Sequence, residues 1–295
     1  MTANLPDIIA GAGLASGHVT VFPLFVRSRQ PAIDYRIGID AMADGSIALG
    51  EIGRGSVNSI RARNISGHRV LFVDGDHLLG ARQNRVVISS AVIGARQEVD
   101  LPVCCVEQGR WQQVGERFRA APAAAPASVR SVVKSSLTSS LFDGRGRHAD
   151  QSRVWATIAD NIRGPAPTRA LMDSFIASSD VIDQVSRRIG YVDRASGLAM
   201  AVGRRLVSLD LFDKPSTCAV YWKRLVDGVA HDPGTPGEVG LGAVYDVVDE
   251  LVTTSWSEFP GVGCGREQRA RITSATASIV ELDGHVVHLG VAALH

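Results

Sequence analysis

VLFVDGDHLLGARQNRVVISSAVIGARQEVDLPVCCVEQGRW, residues 70–111, carries the reading of the fold. Two polar clusters interrupt its apolar runs. The first is Asp74-Gly75-Asp76-His77 with Arg82-Gln83-Asn84-Arg85; the second is Cys104-Cys105-Val106-Glu107-Gln108-Gly109-Arg110-Trp111. Arg69 to Val73 has apolar residues on both parities, as does Val86 to Val92, which predicts strands buried on both faces. Glu98 to Glu107 alternates instead. Val99, Leu101, Val103 and Cys105 share one face, and Glu98, Asp100 and Pro102 the other, because side chains alternate along a strand. Glu107 continues the apolar parity, so if the strand runs that far its carboxylate points to the core side at the strand end. An ionised carboxylate there needs a cation or several donors, and Arg82, Arg85 and Arg110 are the nearest in sequence.

These residues form the candidate site. A partly buried Glu107 can act as acid or base, with Asp74 and Asp76 as further acid, base or metal contacts. Arg82, Arg85 and Arg110 suit a phosphate or carboxylate through paired hydrogen bonds, and Gln83 and Asn84 suit an amide or sugar hydroxyl. The competing reading is a structural ion network bracing loop ends. Other candidates read as structure. Cys105 sits on the apolar parity, which favours an inert thiol. His77 beside Asp74 and Asp76 suggests a mononuclear site for magnesium or calcium, but Asp-Gly-Asp is also a common turn, and no metal is assigned. His285 and His288 fall on opposite faces of a strand and cannot chelate together. Gly261-Val262-Gly263-Cys264-Gly265 lacks the strand-before, helix-after setting of a dinucleotide loop, so it reads as a tight turn or close backbone approach.

The runs DGDHLLGARQNR and LPVCCVEQGRW resemble the bacterial and archaeal ARG and rhodanese-phosphatase-superfamily-associated domain family. The matching positions are Asp74-Gly75-Asp76, Gly80 to Arg85, Cys105-Val106-Glu107 and Gly109-Arg110-Trp111. Val21 to Phe25, Val154-Trp155, Asp210 to Phe212 and Gly261 to Gly263 extend the likeness over most of the chain. What it implies is modest: association with other domains, including ADP-ribosylglycohydrolase-like ones, without a defined activity or cofactor.

Composition sets the outer bounds. At 295 residues and 45% hydrophobic, the chain can bury a substantial core. A net charge of +1 and 5% aromatic residues argue against a nucleic-acid role. No apolar run is long enough to span a bilayer. The four cysteines include no CxxC pair, so reduced thiols in the cytoplasm are expected, and the N-terminus shows no signal peptide.

The expected architecture is one α+β domain over 1–295. Residues 18–112 read as mainly β, 113–150 as a linker and mobile insertion, 151–190 as helical and 191–295 as mixed. Met1 to Gly17 reads as a loose arm, and Ile37 to Ile52 as strand fragments about an Asp44-Gly45 turn. Asp150 caps one helix, and Pro167-Thr168 opens the next. Leu198 to Val202 and Leu206 to Leu211 form a hairpin. Ser216 or Thr217 starts a helix burying Tyr221 and Trp222, and Val244, Val247, Val248 and Leu251 mark another. Arg269 to Leu282, an Asp283-Gly284 turn and His285 to Ala292 make a C-terminal hairpin sharing a mixed or antiparallel sheet system with the N-terminal strands, the central helices covering one side. Two functions fit: binding, with hydrolysis or transfer, of a small anionic metabolite such as a nucleotide or ADP-ribose-like ligand; or a non-catalytic interaction domain whose motif residues brace the fold.

Overall fold

The computed structural model describes residues 3–27, 33–53, 55–162 and 170–293. Short strands dominate the first part: β1 (Ile8–Ala10), β2 (Leu14–Ser16), β3 (Val19–Val26) and β4 (Arg36–Ile37) precede helix α1 (Gly38–Ala43). β5 (Ile47–Gly50), β6 (Ser59–Asn64), β7 (Val70–Phe72), β8 (His77–Ala81), β9 (Arg85–Val87), β10 (Ala91–Ile93), β11 (Glu98–Cys105) and β12 (Val114–Ala120) follow. Helices α2 (Ala127–Phe142), α3 (Gln151–Asn161), α4 (Leu171–Ala177) and α5 (Ser179–Arg188) come next. The chain then forms β13 (Gly197–Val202), β14 (Arg205–Phe212), α6 (Pro215–His231), α7 (Gly242–Thr253), β15 (Ser257–Pro260), β16 (Arg266–Arg271), β17 (Ala275–Leu282) and β18 (His285–Ala293). This is the expected α+β class.

The largest sheet is antiparallel, in the order β1-β3-β13-β14-β18-β17-β16-β15, with β2 also paired to β3. The C-terminal hairpin thus shares a sheet with an N-terminal strand, as expected. Its turn residues Asp283 and Gly284 have φ of +52° and +80°, the left-handed pair of a type I′ turn. One sheet face carries Leu198, Met200 and Phe212 and packs under α2 to α6; the other carries Leu24, Leu209 and Leu289 and packs against Val244 and Leu251 of α7. The second sheet, β12-β8-β9-β11-β6-β5, curls until its edges approach: a Cβ on Gly50 would lie 3.8 Å from the Glu116 carbonyl oxygen. Leu49, Ile60, Leu78, Val87, Val103 and Phe118 fill its interior. β10-β7-β4 is a small third sheet in which β4 and β7 run parallel.

Several local expectations need correction. Residues 8–10 and 14–16 are strands on β3, not a loose arm, because Ile8 and Ala10 bury against α7. Gly38–Ala43 is a helix within the expected strand fragments, buried on Gly38 and Ala41. Val86 to Val92 splits into β9 and β10 at Ser89-Ser90, whose hydroxyls bond Glu267 and Asp74. Residues 113–150 are not a mobile linker: they supply β12 and the 16-residue α2. In α2, Arg130, Lys134 and Thr138 recur every four residues and are all buried. A polar stripe at helical spacing ordinarily faces water; here Asp210 and Asp74 receive Arg130 and Lys134, and Thr138 accepts from Arg269. The Asp150 cap is present, its side chain accepting from the Arg153 amide, and α6 buries Tyr221 and Trp222 as expected. The Pro167-Thr168 helix start lies outside the described residues.

Candidate functional site

The two halves of the motif go to different places. Asp74 and Asp76 turn inward. Asp74 pairs with Lys134 at 2.7 Å, receives the Ser90 hydroxyl at 3.0 Å and lies 4.0 Å from Arg130. Lys134 also donates to Ser278, at 2.6 Å. Arg130 makes a two-bond pair with Asp210, at 2.5 and 2.8 Å, and His288 Nε2 lies 3.2 Å from the same carboxylate. Asp210, Gly290 and Ser278 lie abreast on β14, β18 and β17. Gly290 leaves the space in which this cluster meets: a Cβ there would stand 3.0 Å from both Lys134 Nζ and the His288 ring. Burial by itself would raise the Asp74 and Asp210 carboxyls. The surrounding cations outweigh it and hold both below their ordinary range. Asp76 bonds the Val73 amide, Tyr221 and Arg224, and there burial prevails and raises its pKa. Asp74 and Asp76 are therefore sealed in the core, 3% and 2% exposed.

The second half of the motif forms a bracing cluster at the end of β11. Arg85 is fully buried. It donates to Gln83 Oε1, the Ser56 carbonyl and Cys105 Sγ, and lies 3.7 Å from Glu51. Arg82 and Arg85 stack on the Trp111 ring, 5.9 and 5.6 Å from its centroid. Burial raises the Cys105 thiol, with Arg85 opposing, as an inert thiol requires. β11 ends at Cys105, two residues short of Glu107, so strand parity does not set the direction of that side chain; its cation is Arg110, at 2.6 Å to each carboxylate oxygen. The Asn84 amide also donates to Glu107, and Gln83 Nε2 to the Glu107 carbonyl. Arg110 spends its remaining donors on the Ala81 and Gln112 carbonyls and Asn84 Oδ1.

Beside this cluster lies an open cleft of about 420 Å³. Asn84, Glu107 and Arg110 line it, together with Arg117 and Arg119 of β12 and the acid Asp173 of α4. Arg117 and Arg119 share a strand face, both exposed, while Phe118 between them is buried. Neither makes an ion pair among the described residues. These two were missed in the sequence, although GERFRA (115–120) alternates charge and apolar residue and carries the signal. Arg130, Lys134 and Asp210 were missed as site-building residues for the reason given above. His77 does not join Asp74 and Asp76; both its ring nitrogens are buried without a hydrogen bond. Among the described residues, no group of three or more His, Cys, Asp or Glu side chains is placed to hold a metal ion.

Asp232 is a further buried carboxylate, at the N-terminus of α2 beside a cavity of about 600 Å³. It accepts from the Ser128 amide and hydroxyl and from Asn161 Nδ2. Burial nevertheless pushes its pKa from 3.8 to about 6. A raised folded-state pKa means a contribution fully present below the unfolded value and lost as pH rises through about 6. We expect Asp232→Asn to remove this pH dependence, roughly 3 kcal/mol between pH ~4 and ~7. Urea midpoints of both proteins across that range check it; equal slopes would refute it.

The fold is a largely antiparallel α+β one, with Asp74 and Asp76 of the charged motif buried in its core. The family model of the ARG and Rhodanese-Phosphatase-superfamily-associated Protein domain matches residues 7–292, and the chain belongs to that family. No curated protein and no solved structure matches it. No helix among the described residues is long and apolar enough to cross a membrane.

Proposed function

We propose that this chain binds a small anionic ligand, without transforming it, in the cleft faced by Arg117 and Arg119. The observation that carries the reading is this pair of exposed guanidinium groups on one strand face, without ion-pair partners among the described residues, above an open cleft. Guanidinium groups so placed suit phosphate or carboxylate oxygens. Binding is preferred to catalysis because the acids of the motif are engaged elsewhere. A general acid or base must reach its substrate, whereas Asp74 and Asp76 are sealed and Glu107 is held by Arg110. Of the motif residues, Asn84 and Arg110 line the cleft, while Arg82, Gln83 and Arg85 belong to the cluster beside it. The braced motif is equally what the interaction-domain reading requires, but the cleft favours a small ligand.

Titration with inorganic phosphate by calorimetry tests this. The double variant Arg117→Ala/Arg119→Ala is expected to weaken binding at least about tenfold, some 1.4 kcal/mol, with the ligand-free melting temperature unchanged because both side chains are exposed. Undetectable phosphate binding by the parent chain, or unaltered affinity in the variant, removes the proposal.

A further inference from the structure

A second hollow, of about 270 Å³, lies under α4 against β8. Its walls are largely apolar, with Pro122, Met172, Phe175 and Ile182 among them, and His77 lines it. Met172 also lines the arginine cleft, so a single side chain forms a wall of both spaces. His77 is fully buried, and neither ring nitrogen has a partner. Burial, with Arg224 adding to it, lowers its pKa to about 3, so the ring is neutral and offers one donor and one acceptor. An unpartnered buried polar group is costly to keep, and nearly all such groups in proteins are satisfied. An apolar cavity of about 150 Å³ already accepts a benzene ring, so this hollow has room for a substituted one.

We propose that the two hollows are one binding site divided by Met172, and that its ligand is an anion carried on a ring-sized apolar body bearing one hydrogen-bonding group. The inference rests on the anion reading above and extends it. The anion lies on Arg117 and Arg119, the ring against Met172 and Phe175, and the hydrogen-bonding group on the His77 ring. His77 has no exposed surface in the free chain, so a wall side chain must move to admit the ligand, and we assign that movement to Met172. An unbranched side chain with three rotatable bonds suits that role, and Met172 is only half-buried. The site therefore discriminates by the body of the ligand as well as by its charge.

Calorimetry on the full chain with inorganic phosphate, phenyl phosphate and 4-hydroxyphenyl phosphate tests this. Burying the ring should make phenyl phosphate bind at least about tenfold tighter than inorganic phosphate. The hydroxylated probe should bind tighter again. Met172→Trp should erase the gain from the ring, so that phenyl phosphate binds that variant no tighter than inorganic phosphate does. His77→Phe should abolish the preference for the hydroxyl; if that variant does not fold, Met172→Trp still decides. Should phosphate bind but phenyl phosphate bind no tighter, or should the gain survive Met172→Trp, the shared site is overturned while the anion cleft stands. If neither anion binds, both readings fall.

Discussion

Asp210→Ala is expected to destabilise the protein by about 3–5 kcal/mol. Asp210 is fully buried and gives Arg130 its two-bond partner. Without it the guanidinium stays in the core, with Asp74 at 4.0 Å as its nearest acid, and His288 Nε2 loses its acceptor. The penalty comes from the stranded charge more than from the lost bond. The double variant Asp210→Ala/Arg130→Met should therefore recover at least about 1 kcal/mol over the single one. Because the cations hold Asp210 below its ordinary range, its contribution is present at neutral pH. It disappears only on acidification below the usual carboxylate value. Urea unfolding of the three proteins measures this. A single variant within about 1 kcal/mol of the parent would show that the network does not hold the α2 interface.

Gly263→Ala is expected to cost roughly 3 kcal/mol, from backbone strain and overpacking together. Gly263 has a φ of +81°, and a Cβ would stand 2.3 Å from the Val92 carbonyl oxygen. That oxygen accepts the Cys264 amide at 2.7 Å, which ties the glycine loop to β10. Gly144→Ala separates the two causes. Its φ is +69° with nothing within 4 Å of a Cβ, so it should show the strain alone, about 1–2 kcal/mol. Phosphate binding should be unaffected by either change. Equal costs for the two variants would remove the close-approach explanation. Loss of phosphate binding in Gly263→Ala would bring back a ligand role for the loop.

Much of the architecture is legible in the chain because it is written locally. Leu198 to Val202 and Leu206 to Leu211 give a hairpin, Asp150 gives a helix cap, and Asp283-Gly284 gives a type I′ turn. Each depends on residues within a few positions of one another. The missed elements depend on distant partners. Ile8 and Ala10 are strand residues because α7 covers them, and α2 is a core helix because acids more than fifty positions away accept its cations.

The sequence alone therefore determined the α+β class, the family likeness and the carboxylate–guanidinium character of the motif, since periodicity, turn chemistry and residue type are properties of neighbouring positions. Only the tertiary structure decided what those charges do. Whether an aspartate meets water or an arginine depends on which surfaces the sheets bring together, so Asp74 and Asp76 were closed into the core, Glu107 was matched to Arg110, and the open guanidinium pair arose on β12.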